Sequence, residues 1–156
     1  MAVAVRPSEE PNGYEVLGRY VAQVLTMERF LDFILLIEQV KPRDLKRMYL
    51  AAKIEKVTAL IRQPDQGLSA WDELPDKMPQ VRQNRNLFAH RMFDRTVPLP
   101  AHFGGELGEP LTMEELREQE SEAVEVTYLV QSLYERLHYG ADEPQLFPLR
   151  RGVNDL

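Results

Sequence analysis

The sequence predicts an all-α fold, an antiparallel up-and-down bundle of four to five helices. Apolar residues recur at spacings of three and four through most of the chain. No stretch alternates apolar with polar as a half-buried strand would, and no internal repeat is visible. Short Pro- and Gly-marked connections separate the periodic segments, as in a bundle of antiparallel neighbours.

Taken in order, residues 1–12 hold Pro7, Pro11 and Asn12 without periodicity and read as a flexible lead-in. Residues 13–140 form the bundle and 141–156 a loosely packed tail. A first helix is expected from about Tyr14 to Val40, with Leu17, Val21, Val24, Leu25, Leu31, Phe33 or Ile34, and Leu35 inward; Pro42 stops it. Asp44 begins a second helix running to about Gln63, apolar at Leu45, Met48, Tyr49, Ala52, Ile54, Val57, Leu60 and Ile61. Gln63 to Gly67 is a turn. Ser69 is a candidate cap for a third helix. Pro75 and Pro79 interrupt its first half, so a short helix or turn is expected, then a main helix from about Pro79 to Phe93. Residues 95–110, with three prolines and three glycines, read as an irregular excursion. Thr112 to Glu115 is a capping box opening a last helix to about Tyr139, with Leu116, Val124, Tyr128, Leu129, Leu133 and Leu137 inward.

At 156 residues the chain fits one domain able to bury a core. Its 44% apolar and 28% charged content is that of an ordinary globular protein. The absence of cysteine excludes a disulfide scaffold, a thiol nucleophile and a Cys-based metal site, and fits a cytoplasmic setting. No apolar run is long enough to span a bilayer, and no secretory signal is evident. A net charge of −6 argues against a protein that coats nucleic acid non-specifically, while leaving room for a small basic site. Arg82, Arg85, Arg91 and Arg95 gather in one stretch, with Asp94 the only acid from Val81 to Pro100.

One residue violates the pattern of the first helix. Glu28 falls three after Leu25 and three before Leu31, on the apolar stripe rather than opposite it. A carboxylate there must reach solvent at the stripe's edge or meet a buried partner. The sharper expectation is that Glu28, with Asp32 bordering the same face, orients Arg85 or His90 from a neighbouring helix.

The chemistry concentrates in Arg85-Asn86-Leu87-Phe88-Ala89-His90. Arginine grips phosphate with a rigid, permanently charged fork, and histidine both gives and takes a proton near neutral pH. Asn86 and His90 lie at i, i+4 on one helical face, and Arg85 lies about 140° around the axis from His90. Ala89 keeps the surface between them low. The pattern permits metal-independent transesterification of RNA. His90 would act as general base or acid and Arg85 would hold the scissile phosphate, with Asn86 assisting; Arg82 and Arg91 are candidate RNA-binding residues. One histidine cannot comfortably serve as base and acid in a single step, so two copies sharing a site across a two-fold axis would complete it. By itself an Arg five residues before a His is a weak signal. Arg95 and His102 make a similar pair, but prolines stand between them.

Arg85-Asn86-x-x-Ala89-His90 in the third helix of an all-α chain resembles the HEPN superfamily (higher eukaryotes and prokaryotes nucleotide-binding domains). The stretch from Leu17 to Leu31 looks like small bacterial members of it. The resemblance implies a metal-independent endoribonuclease acting on RNA as a homodimer. Toxin–antitoxin or phage-defence settings follow, with an antitoxin or other regulatory protein as partner. It assigns catalysis to Arg85 and His90, assisted by Asn86.

A plainer reading takes these three as helix-surface residues making local bonds. A non-catalytic HEPN-like dimerisation or interaction module is the runner-up function; a nucleotide-binding adaptor lacks a Gly-rich phosphate loop. Trp71, Tyr49, Phe88 and Phe93 are expected in the core or a dimer interface. The acids of the last helix are expected to form a solvated face. His102 and His138 have no partners at metal-ligand spacing, so neither a metal nor another cofactor is expected.

Overall fold

A computed structural model describes residues 13–96 and 113–140, and within them the side chains of 15–86 and 114–140. The described residues are helical and contain no strand. In chain order the helices are α1 (Gly13–Ile37), α2 (Pro42–Leu45), α3 (Leu50–Ile61), α4 (Leu74–Thr96) and α5 (Met113–Tyr139). Two 3₁₀ turns, Pro64–Gln66 and Ser69–Trp71, lead into α4. The expected lead-in, most of the 95–110 excursion, and the tail lie outside the described residues.

The up-and-down order runs through the three long helices. Asn84 of α4 bonds Gln119 of α5, and Val81 of α4 shares a cleft with Glu122 and Val126, so α4 and α5 are antiparallel. Arg19 meets Glu120, the Gln23 carbonyl meets Thr127 and Phe30 meets Tyr134, so α1 and α5 run side by side in one direction. The shorter α3 packs against α1 and α4.

The core takes its residues from one face of each helix. On α1 the buried set is Val16, Tyr20, Val24, Met27, Leu31, Ile34 and Leu35; Val21, Leu25 and Phe33, expected inward, are exposed. On α5 the stripe is Leu116, Ala123, Val126, Val130 and Leu133, shifted from the expected Val124 and Tyr128, which are only half-buried. Two polar side chains inside it are satisfied locally. The Thr127 hydroxyl donates to the Ala123 carbonyl at 2.7 Å. The Ser132 hydroxyl donates to the Leu129 carbonyl and accepts the Trp71 indole N–H at 2.9 Å.

α1 ends before Val40 by a Schellman arrangement. Gln39 adopts φ 67°, its N–H bonds the Leu36 carbonyl, and the Val40 N–H bonds the Leu35 carbonyl. Val40, next along, packs on the core.

Two expected elements differ in the structure. The single helix from Asp44 to Gln63 is instead α2 and α3, broken between Leu45 and Leu50. On one continuous helix those residues would lie about 140° apart, and Leu45 would face water; the break lets both be buried. The helix expected from Pro79 begins at Leu74, with Pro79 inside it, and Ser69 caps no helix. Leu74, Met78 and Val81 are all buried on one stripe, and that burial outweighs the hydrogen bond which Pro79 cannot donate. Trp71 joins the core as expected, whereas Tyr49 is 85% exposed at the start of α3.

Candidate functional site

Arg85 extends the inward stripe of α4. Leu74, Met78, Val81 and Arg85 follow one another at spacings of four, three and four, so the guanidinium stem occupies the next core-facing position beyond Val81. There Arg85 is half-buried. Beneath it the Tyr20 hydroxyl of α1 donates to the Val81 carbonyl at 2.6 Å. In α-helical register that carbonyl also accepts the Arg85 backbone N–H. One buried bond thus pins the turn of α4 that carries Arg85.

Other contacts tie the same junction of α1, α4 and α5. Arg19 forms a two-pronged pair with Glu120, at 2.7 and 3.2 Å. The Asn84 amide donates to Gln119. A cleft of about 150 Å³ opens between α4 and α5, lined by Lys77, Gln80, Val81, Glu122, Glu125 and Val126. The acids of α5 are therefore not one solvated face: Glu114, Glu115, Glu118 and Glu125 are exposed, while Glu120 and Glu122 turn half-buried toward the basic junction.

Burial pushes the Tyr20 hydroxyl well above its ordinary pKa; the Arg85 charge opposes that rise and the Glu122 charge reinforces it. Both neighbours thus act on the same phenol, which stays protonated at physiological pH.

The expected site residues fall in three places. Arg85 is at the junction, with half-buried Arg82 on the preceding turn. Asn86 is exposed, its Oδ1 lying 3.5 Å from Arg85 Nη2, a long contact. His90 and Arg91 belong to the backbone of α4, but their side chains lie outside the described residues. On the helix, position 90 is about 140° around from position 85.

Glu28 and Asp32 take a role other than the expected one. Their carboxylates hold Lys53 of α3, at 2.8 Å from Glu28 Oε1 and 2.9 Å from Asp32 Oδ1. Glu28 makes an aligned hydrogen bond, while Asp32 Oδ1 contributes through charge. The expectation that Glu28 orients Arg85 is thereby corrected: it borders α3, whereas Tyr20 borders α4, and the acids at the junction are Glu120 and Glu122. The buried stripe of α1 runs through Met27 and Leu31, which leaves Glu28 at its edge.

Lys53 is 6% exposed. Burial alone would lower its pKa, but the paired carboxylates of Glu28 and Asp32 outweigh that and raise it. Sequence reasoning missed Lys53 although the signal was present: it lies three after Leu50 and four before Val57, the same violation that drew attention to Glu28. Tyr20 was also missed; it lies four before Val24 and seven before Met27, on the buried stripe.

Both raised values act in one direction. A group whose pKa is higher in the folded chain stabilises the fold below its unfolded value and loses that contribution as pH rises through the folded one. For Tyr20 and Lys53 the ordinary values are 10.0 and 10.5, so the loss belongs to the alkaline range. Urea titrations are expected to show lower stability at about pH 11 than at about pH 9, with Tyr20 ionising only as the chain unfolds. Equal stability at the two would contradict both assignments.

Among the described residues no group of three His, Asp or Glu converges as a metal site, and no helix is long and apolar enough to cross a membrane. His138 stacks on Tyr134 with ring centres 5.4 Å apart. Comparison with protein-family models, with curated proteins and with solved structures returns no match.

Proposed function

We propose that the chain is a metal-independent endoribonuclease of HEPN type, cytoplasmic, acting as a toxin or phage-defence effector. Its site is built on Arg85 and His90, with Asn86 assisting and Arg82 and Arg91 contacting the RNA backbone. In the reaction a 2′-hydroxyl loses its proton to a histidine and attacks the adjacent phosphorus. Arg85 stabilises the charge growing on the phosphoryl oxygens, and the 5′-oxygen leaves with a proton from a second histidine. His90 from each of two copies supplies the base and the acid, which calls for a homodimer with its two-fold axis beside α4. An antitoxin or other regulatory protein would restrain the activity.

The observation that carries this reading is the placement of Arg85. An arginine stands where the core stripe of α4 calls for an apolar residue, with its backbone turn pinned by Tyr20 and its side chain half open at a three-helix junction. A fixed backbone turn narrows the range from which that fork reaches a phosphate, which supports the reading.

The test is incubation of single-stranded RNA with the full chain in excess EDTA. Fragments ending in 2′,3′-cyclic phosphate and 5′-hydroxyl are expected; RNA left intact, or cleavage that chelation abolishes, contradicts the proposal. The second reading, a non-catalytic helical interaction module, is favoured by an apolar face of α1 that no described helix covers, where Leu25 is 58% exposed. It predicts intact RNA.

A further inference from the structure

The short helix α2 and the turn that follows it crowd positive charge onto one surface. From Lys41 to Tyr49 stand Lys41, Arg43, Lys46 and Arg47, with Asp44 the one acid, on a chain whose net charge is −6. The backbone stays helically wound past Leu45: the Lys46 N–H donates to the Pro42 carbonyl, the Arg47 N–H to the Asp44 carbonyl and the Met48 N–H to the Leu45 carbonyl. Leu45 is buried and Met48 packs on the core, which fixes the side that faces inward. Lys46 and Arg47 follow Arg43 by three and four residues, so these cations share the outward side, and all are exposed. Like charges so placed repel one another. Asp44 relieves little of this: it lies 4.0 Å from Arg43, and both side chains stay mostly in water. Lys41, Lys46 and Arg47 make no ion pair with the described residues. Glu28 and Asp32 of α1 are engaged by Lys53, and exposed Glu38 is the one acid between Asp32 and Asp44. Beside the cations Tyr49 is 85% exposed, the highest value among the described large hydrophobic residues.

We infer that this surface holds a single strand of RNA: Arg43, Lys46 and Arg47 bind its phosphates, and Tyr49 stacks on one of its bases. Cations crowded at mutually repelling positions suit a polyanion, whose charge relieves that repulsion. Tyr49 narrows the polyanion to one with open bases. An aromatic ring standing in water beside arginines is what holds single-stranded nucleic acid. A duplex keeps its bases stacked on one another, and an acidic polypeptide offers the ring no base to stack on. A lipid surface is met by inserting apolar side chains. From Lys41 to Tyr49 the one exposed large hydrophobic residue is Tyr49 itself. α3 begins directly after Tyr49 with no acid in its first turn, so the positive end of its dipole adds to the same field.

This surface is distinct from the Arg85 junction. It lies past the end of α1, whereas the turn carrying Arg85 meets α1 at Tyr20. From Tyr20 to Ile37 the helix runs for about 25 Å. The strand is therefore held away from the cleavage point, and the surface guides substrate rather than reacting with it. The choice of RNA over DNA rests on the nuclease reading; the capture of a single strand does not.

The test is fluorescence anisotropy of a labelled 2′-O-methyl RNA strand of about twenty nucleotides, which cannot undergo transesterification, titrated with the full chain. Beside the wild type stand a triple variant (Arg43→Ala, Lys46→Ala and Arg47→Ala), Tyr49→Ala, and Arg62→Ala as a control at the far end of α3. All of these positions are exposed, so circular dichroism should report an unchanged fold. The triple variant is expected to bind at least tenfold more weakly. Its slope of log affinity against log salt should fall by about two, the share of three phosphate contacts on a single strand. Tyr49→Ala should lose about tenfold with the slope unchanged, and Arg62→Ala less than about twofold. A wild-type chain that does not bind the strand, a triple variant that binds as well as wild type, or a loss in Arg62→Ala as large as in the triple variant overturns the inference. So does polyglutamate binding as tightly as the strand with Tyr49→Ala without effect, which would mean an acidic protein partner. Binding to phosphatidylserine vesicles but not to the strand would mean a lipid surface and overturn it too. Because the strand is not cleaved, tight binding together with RNA left intact in the EDTA assay would remove the nuclease reading alone.

Discussion

Trp71→Ala is expected to destabilise the fold by about 4 kcal/mol, the largest effect of any single core truncation proposed for this chain. Trp71 is 1% exposed in the 3₁₀ turn just before α4 and is one of the largest fully buried side chains. Its removal leaves a cavity that a turn between two helices cannot fill by moving one side chain. It also removes the indole N–H that reaches Ser132 at 2.9 Å. Ser132 still donates to the Leu129 carbonyl, so the hydrogen-bond loss is the smaller share and the cavity the larger. Thermal unfolding should fall by roughly 10–15 °C for a domain of this size. Trp71→Phe should recover more than half of that, because the ring refills most of the space. A change under about 1 kcal/mol for Trp71→Ala would mean that the turn before α4 is not anchored as described.

Lys53→Met is expected to cost about 2–3 kcal/mol. Breaking a buried ion pair by removing one partner costs about 3–5 kcal/mol, since the remaining charge is stranded. Here the side chains of Glu28 and Asp32 keep 24% and 34% exposure, so water relieves part of the penalty. The two carboxylates would also repel one another one helical turn apart. Adding Glu28→Gln and Asp32→Asn to Lys53→Met should recover most of the loss, because a neutral cluster strands no charge. Chemical denaturation of the single and triple variants checks this. If the triple variant were as unstable as Lys53→Met, shape rather than charge would be what holds α3 to α1 here.

The class of fold was legible because spacings of three and four dominate the sequence and turn residues separate them. Which face of α1 turns inward was not legible. Val21, Leu25, Phe33 and Leu36 carry as strong an apolar signal as Val24, Met27 and Leu31, and periodicity cannot rank two apolar faces of one helix. That ambiguity put Glu28 on the wrong stripe and hid the partner it has in Lys53. The break between α2 and α3 was invisible for a related reason: no proline or glycine marks it, and only the burial of both Leu45 and Leu50 requires it. The start of α4 at Leu74 is not legible either, because the burial of Leu74 and Met78 outweighs the helix-breaking tendency of Pro79.

At the candidate site, residue type and spacing single out Arg85 and Asn86 in the sequence. Tyr20 is not legible there, since its part depends on α1 crossing α4 at Val81, a contact between residues far apart in sequence. Its hydroxyl makes Arg85 more than an arginine on a helix surface, because it fixes the turn from which the guanidinium projects.

The most direct measurement is RNA cleavage in EDTA by Arg85→Ala and His90→Ala variants, each first shown by circular dichroism and thermal melting to be folded. The wild-type chain is expected to cleave, and each variant to lose at least a hundredfold in rate, about the least that removal of a general acid–base or of the phosphate-binding charge costs. Cleavage by both folded variants at the wild-type rate would contradict the assignment of Arg85 and His90 as the catalytic pair.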